Sequence, residues 1–349
     1  MISEGRIVID LTGDGGVRLT SSRHAEIGKL FEGRQPAEVM QLLPMVFALC
    51  ARAHVAAARR ALLPEADAAE RRADALAVLA ENAREHLLRI LIGWRGAADH
   101  PPASAAQAMS LVAEMTAASD AVSERAVAEG LARLLSDHVL GIAPDRFLEI
   151  RSLAMFHDWT AQGQALAPRH LARVIDRGWQ GLGAVAAHWL PEMPGDELLS
   201  RMTEPDFTAS PDWCGRPCET GPLARARDHP LVAAVIERHG AGLLARLVAR
   251  LVELAGIPGE IGAPRTVTSG TPGLGVVETA RGRLIHAAQV KDGIVAKYRI
   301  LAPTEWNFHP QGAAFQSLRQ LTPGSDLVQE ARALVEAIDP CVDFEVRAA

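Results

Sequence analysis

The chain has 349 residues, a formal net charge of −6 at pH 7 and a composition that is 48% hydrophobic with few aromatics. That is enough chain for one large core or two modest ones. The charge offers no basic stripe for nucleic acid, and no apolar run reaches the roughly 20 residues of a membrane span. Met1-Ile2-Ser3-Glu4-Gly5-Arg6 lacks the charged and apolar regions of a signal peptide. Four cysteines in so long a chain do not make a disulfide framework, so reduced thiols and a cytoplasmic setting are expected. The Ala-, Leu- and Arg-rich composition predicts a soluble α+β protein, mainly helical.

From Arg6 to Thr20 a hairpin is predicted. Ile7, Ile9 and Leu11 alternate with less apolar neighbours, Gly13-Asp14-Gly15-Gly16 has turn chemistry, and Val17 and Leu19 resume the alternation. A helical body is expected over 36–260. Pro36 to Gly93 reads as helix broken near Pro64, and the Ala/Arg-rich stretch 56–72 is periodic. Leu42, Met45, Val46, Leu49 and Ala53 recur at helical spacing, which puts Phe47, Cys50 and His54 on a neighbouring face. Pro101-Pro102 and Ala143-Pro144 mark turns. Met193 to Pro222, rich in Pro, Asp, Cys and Gly, reads as an ordered excursion with little regular structure. Pro230 to Ala255 returns to helix.

Near Gly270 the period changes. Val276–Glu278, Leu284–Val290 and Ile294–Leu301 predict an antiparallel meander over 270–302, with Arg281-Gly282-Arg283 and Lys291-Asp292-Gly293 as turns. Ser269 to Gly275 lacks the Gly-Lys-Ser/Thr of a phosphate loop and reads as the turn before a strand. Over 303–349, helices are predicted around Ala313–Leu321 and Leu327–Ile338, followed by an Asp-Pro-Cys motif. There is no internal repeat, and one domain is expected over 1–349.

Two cysteines sit in short contexts at opposite ends, Phe47-Ala48-Leu49-Cys50-Ala51-Arg52-Ala53-His54 and Asp339-Pro340-Cys341-Val342-Asp343-Phe344. These resemble the R-x-C-G-x-C-P-x-x-H and D-P-C-x-x-C motifs of nickel–iron hydrogenase large subunits. Cys50 falls on the second cysteine of the first motif and Cys341 on the first of the second. Phe47 and Phe344 take the other two places.

Further stretches resemble that family in the same order: Glu4-Gly5 before a strand, Gly33-Arg34-Gln35-Pro36, Asn82-Ala83-Arg84-Glu85-His86 with Trp94, Gly215 to Arg225, Glu278 to Leu284, and Pro303-Thr304-Glu305-Trp306-Asn307. Departures are as telling. Met45 stands where the family has arginine, Ala48, Ala51 and Ala280 replace its Gly, Pro and Pro, and the tail after Cys341 carries no terminal histidine or cleavable extension. The combination resembles the HupK/HoxV group, large-subunit-like accessory proteins of nickel–iron hydrogenase maturation.

The resemblance implies a fold like the large subunit, with its N-terminal hairpin and small antiparallel sheet. It also implies Cys50 and Cys341 as metal ligands, and Arg281, Pro303 and Thr304 around the cyanide and carbon monoxide ligands of an iron. His54, Asp339 and Glu4 are implied to support that set. Two sulfurs cannot reproduce a four-thiolate nickel site, so hydrogenase activity is not expected. An iron already carrying three diatomic ligands needs only two or three more donors.

The plainer readings are buried core cysteines, a hairpin-turn Arg281, a core His54, a capping Asp339 and a structural Glu4. Cys214 and Cys218, at i and i+4, would share a face on a helix. They read as a redox or transfer pair, or as incidental surface thiols, and no neighbouring motif completes a zinc site.

The leading expectation is a scaffold that receives an iron–cyanide–carbonyl unit from iron-carrier maturation proteins and passes it to the hydrogenase large subunit, without contacting nucleic acid or membrane. The alternatives are a metal-free docking chaperone that mimics the large subunit, and a divergent redox or electron-transfer subunit.

Overall fold

The computed structural model describes residues 5–12, 15–23, 26–63, 65, 67–94, 103–264 and 270–348. Glu4, Gly13-Asp14, Pro64, Pro101-Pro102 and Ser269 lie outside these residues. The strands are β1 (Arg6–Leu11), β2 (Val17–Ser21), β3 (Leu274–Thr279), β4 (Gly282–Lys291), β5 (Ile294–Leu301) and β6 (Asp343–Ala348). The first helices are α1 (Pro36–Val46), α2 (Ala51–Leu62), α3 (Ala68–Leu88), α4 (Ala103–Ala117), α5 (Ala121–Leu134), α6 (Pro144–Leu148), α7 (Leu153–Gln162) and α8 (Leu166–Asp176). Then come α9 (Gly195–Arg201), α10 (Pro222–Ala226), α11 (Pro230–His239), α12 (Leu243–Glu260), α13 (Pro303–Asn307), α14 (Ala313–Leu318) and α15 (Leu327–Ile338). The chain divides into two units. One is Met1–Val78, Ala187–Gly221 and Thr266–Ala349; the other is Leu79–Ala186 and Pro222–Arg265.

The first unit holds both sheets. In one, the order is β2-β1-β6: β1 pairs antiparallel with β2 and parallel with β6, with Arg6 opposite Asp343. Ile7, Ile9 and Leu11 turn inward and are buried, as their alternation requires. The expectation of only helices and a motif beyond residue 303 is corrected here, because the last residues form β6. This pairing ties Cys341, two residues before β6, to the start of the chain. The other sheet is the expected meander, β3-β4-β5, with a register shift between Gln289 and Val290.

Helix α2 lies on β3 and β4. A side chain at Gly275 in β3 would put its Cβ 1.8 Å from the Ala57 carbonyl oxygen of α2. Only glycine lets helix and strand backbones meet so closely. Four alanines of α2, Ala53, Ala56, Ala57 and Ala58, are fully buried in a cluster with Val277, Leu284 and Tyr298. A second cluster gathers Leu198, Met202, Phe207, Ile285, Leu301 and Trp306.

Helix α1 begins with Pro36 at its first position, and Glu38 Oε2 accepts the Gln35 N–H at 2.8 Å. It contains Pro44, which cannot donate to the preceding turn, and it stops at Val46. The continuous helical face expected through Phe47, Cys50 and His54 is therefore corrected: residues 47–50 bend between two helices. Met45, assigned to the apolar stripe by spacing, is 81% exposed.

The second unit is helical. Helix α12, almost wholly buried, packs against α5, α6, α10 and α11. The single helix expected from Pro230 to Ala255 is two, because Gly240 at φ 77° ends α11. Inside this unit the half-buried Glu253 receives Arg225 Nη2 at 2.9 Å and His86 Nε2 at 3.3 Å. Burial opposes its charge, yet Arg225 and His86 hold the Glu253 carboxyl down to about 2.

Candidate metal centre

Every residue of the candidate site that the structure describes belongs to the first unit. Cys50 is the residue before α2 and adopts the left-handed conformation, φ 57° and ψ 29°. A non-glycine residue there is uncommon. The bend turns its buried thiol toward Arg281, whose Nη1 lies 3.5 Å from Cys50 Sγ. Phe47, where the family motif has a cysteine, stacks flat on His54 with centroids 3.7 Å apart and planes 3° from parallel.

Cys341 follows α15. Its N–H donates to Thr304 Oγ1 at 3.0 Å, and the Thr304 hydroxyl donates to Cys341 Sγ at 2.9 Å. Arg23 Nη1 donates to the same sulfur at 2.9 Å, while Arg23 Nε donates to Glu305 at 2.6 Å. Two donors thus converge on one sulfur, and both bonds strengthen when the acceptor carries negative charge. Thr304 belongs to α13, which Pro303 opens, so the pair forms the first turn of a helix. Gly5, at φ 90°, keeps Arg23 close: a Cβ there would lie 2.8 Å from Arg23 Cα.

Asp339 and Arg281 link the two motifs. Asp339 is the left-handed residue that ends α15, at φ 67°, and its buried Oδ1 lies 3.6 Å from Arg281 Nε. Arg281 is buried in the tight connection between β3 and β4. Its carbonyl accepts from Asn307 Nδ2 at 3.0 Å, and Gly221, at φ 118°, leaves no room for a side chain against that carbonyl. The arginine is thus fixed at both ends.

His54 continues inward. Its Nδ1 is 2.9 Å from His286 Nε2, and His286 Nδ1 is 2.7 Å from the Tyr298 hydroxyl. Burial, then the nearby His286 and Arg23, hold His54 well below the usual histidine range. Burial takes His286 down to about 3 and pushes the Tyr298 hydroxyl upward. All three groups are neutral near pH 7.

Cys50 and Cys341 line one cavity with Arg23, Phe47, His54 and Pro303. It measures about 10 Å³, the space of roughly one water-sized sphere. A second cavity of about 190 Å³, also lined by Arg23, adjoins Thr304 and Glu305. Among the described residues no group of three or more His, Cys, Asp or Glu is arranged to hold a metal ion, so the chemistry on offer is that of two thiols flanked by guanidinium and hydroxyl donors.

Cys214 and Cys218 lie apart from this arrangement. The helix that would put them on one face is absent: Trp213 and Arg216 close a tight turn by paired backbone hydrogen bonds, with Cys214 left-handed at φ 52°. Cys214 is exposed and Cys218 buried. Burial, then Cys214 and Asp212, push the Cys218 thiol up to about 11, which keeps it protonated and poorly nucleophilic.

Sequence reading named the cysteines, Arg281, Pro303-Thr304, His54 and Asp339 through their motifs. It missed Arg23, Glu305, His286 and Tyr298. Glu305 lies inside a quoted motif and His286 two residues beyond another. Arg23, next to no motif, had no local signal.

The fold is that of a hydrogenase large subunit. It matches a chain of the Ni-Fe-Se hydrogenase from D. vulgaris Hildenborough with a TM-score of 0.63 at 17% identity, over 93% of this chain and 92% of that one. The nickel-dependent hydrogenase family model matches residues 231–342. Similarity to two curated proteins narrows the assignment. The chain is 32% identical to the hydrogenase expression/formation protein HupK of Rhizobium leguminosarum bv. viciae, over 99% of this chain and 97% of that protein. It is 30% identical to the hydrogenase expression/formation protein HoxV of Cupriavidus necator, over 91% and 89%. The chain belongs to the HupK/HoxV family of hydrogenase expression/formation proteins.

Proposed function

We propose that this protein is a non-catalytic scaffold of nickel–iron hydrogenase maturation, which holds an iron–cyanide–carbonyl unit through Cys50 and Cys341 and passes it to the hydrogenase large subunit. The observation that carries this reading is the convergence of the two motif cysteines, from opposite ends of the chain, on one cavity. Arg281 stands at one sulfur, and Arg23 and Thr304 at the other.

Loading is ligand exchange at iron. Each thiol gives up its proton to water, and the two sulfurs take positions vacated by weaker ligands of the unit, which leave to solvent. The bound cyanides carry negative charge on nitrogen, which suits guanidinium and hydroxyl donors. Arg281 and Thr304 serve that role, Pro303 shapes the wall, and Asp339 orients Arg281.

Release is the reverse exchange, with only two iron–sulfur bonds to break. That suits a carrier that loads from iron-carrying maturation proteins and unloads to a large subunit. Phe47 closes the space where a further thiolate would sit and holds His54 by stacking. Cys214 and Cys218 take no part in this scheme.

Transfer of isotope-labelled iron tests the proposal. Protein isolated from cells with an intact maturation system is mixed with metal-free hydrogenase large subunit. Movement of the label to the large subunit is expected. Iron-free wild-type protein that still promotes hydrogenase assembly would instead identify a docking chaperone.

A further inference from the structure

Tyr298, His286 and His54 form a line of hydrogen bonds with one end in the apolar core and the other at the cysteine cavity. Tyr298 and His286 are fully buried, and Tyr298 shares its cluster with Phe31, Val39 and Val295. The two contacts, 2.7 Å and 2.9 Å, each need one hydrogen. A neutral imidazole carries one N–H, so the line has two self-consistent directions.

In the first, the Tyr298 hydroxyl donates to His286 Nδ1, His286 Nε2–H donates to His54 Nδ1, and His54 keeps its own hydrogen on Nε2. In the second, every bond reverses. His54 Nδ1–H donates to His286 Nε2, His286 Nδ1–H donates to the tyrosine oxygen, and the tyrosine hydrogen points among apolar side chains. The second direction leaves a buried hydroxyl hydrogen without an acceptor, a costly state. It also presents a bare nitrogen lone pair on the side of His54 that remains for the cavity. The first direction satisfies every group and leaves an N–H donor on that side. The flat stack of Phe47 on His54 holds the ring in place.

We propose that Tyr298 and His286 are positioning residues that fix the tautomer of His54, so that His54 always offers Nε2–H to the cysteine cavity. The tautomer follows from the hydrogen-bond line alone; its use rests on the carrier reading. A fixed donor favours thiolate sulfur and anionic cargo, whereas an imidazole that exchanged tautomers would offer a repelling lone pair part of the time. Such a device acts through direction: the residue between Tyr298 and His54 must accept on one side and donate on the other.

Long-range proton–nitrogen spectra of metal-free, histidine-labelled protein read the tautomers directly. Hydrogen on Nε2 is expected for both His54 and His286. Tyr298→Phe removes the donor that sets the direction, and a second His54 tautomer is expected to appear. His286→Gln is the rescue, because its amide oxygen accepts from Tyr298 and its amide N–H donates to His54 Nδ1, so His54 keeps Nε2–H.

His54 protonated on Nδ1 in the wild type would overturn the proposal, as would a Tyr298→Phe protein with unchanged tautomers. If Tyr298→Phe does not fold, the wild-type and His286→Gln spectra decide. In cargo-loaded protein, the cyanide infrared bands are expected to shift in Tyr298→Phe and to return to their wild-type positions in His286→Gln. Wild-type protein without such bands would end the carrier reading while leaving the tautomer result intact.

Discussion

The Arg23 guanidinium donates to the Cys341 sulfur at 2.9 Å while its Nε holds Glu305 at 2.6 Å. The ion pair is largely buried, at 15% and 13% side-chain exposure. Arg23→Met leaves the Glu305 carboxylate without its cation, and a loss of about 3 kcal/mol is expected from breaking a largely buried pair on one side. Glu305→Gln in the same chain should recover most of that loss. Urea denaturation of the two variants checks both values; equal loss in both would mean that the cost lies in packing.

The same arginine lines both the 10 Å³ cysteine cavity and the neighbouring 190 Å³ cavity. An iron with three diatomic ligands does not fit in the space of one water. A structure of the loaded protein is therefore expected to show Arg23 turned toward the larger cavity, away from Cys341. Arg23 still bonded to Cys341 Sγ beside bound cargo would contradict this.

Gly275 tests the seating of α2 on β3. Gly275→Ala drives a Cβ to 1.8 Å from the Ala57 carbonyl, so helix and strand must separate. A loss of about 3 kcal/mol or more is expected. Gly259→Ala is the control, since nothing lies within 4 Å of its added Cβ; it should change stability by about 1 kcal/mol or less. Thermal denaturation of the pair makes the comparison.

Stability should fall on the acid side for a defined reason. Burial keeps His54 well below 6.5 and His286 at about 3 in the folded chain. Below about pH 6.5 the unfolded chain therefore binds protons that the folded chain refuses, and stability drops with falling pH. The slope is about 1.4 kcal/mol per pH unit for each such histidine. For His286 it persists to about pH 3. Glu253, held at about 2, adds a loss as pH falls below 4.5. Urea midpoints measured from pH 8 to pH 4 should be flat above about 7 and decline below it, with a shallower decline in His286→Gln.

Asp339 separates backbone from charge. Asparagine tolerates the left-handed conformation that Asp339 adopts at φ 67°, so Asp339→Asn should fold normally. It removes the carboxylate beside Arg281 Nε, and the cyanide bands of loaded protein are expected to shift while iron content stays. Asp339→Ala adds about 1–2 kcal/mol of backbone strain and should be visibly less stable by thermal denaturation.

The local features of this chain were legible and the distant ones were not. The β3–β5 meander announces itself by period-two alternation around Arg-Gly and Asp-Gly turns. The break at residues 47–50 does not, because the apolar spacing of Val46, Leu49 and Ala53 runs through it; Pro44 is its sole local sign. Strand β6 pairs with β1 across more than 330 positions, and no local pattern records such a partner. The same holds for the contact between Arg23 and Cys341. The cysteines, Arg281 and Thr304 could be named in advance because their neighbours match a family motif. His286 and Tyr298 became visible only when β4 and β5 brought them beside α2.

Infrared spectra of the protein from cells with an intact maturation system test the central claim most directly. Wild-type protein is expected to show cyanide and carbonyl stretching bands. Cys50→Ser and Cys341→Ser should each abolish them, and Arg281→Ala should shift or weaken the cyanide bands alone. A double Cys50→Ser, Cys341→Ser protein that keeps unchanged bands would show that the iron unit is held elsewhere.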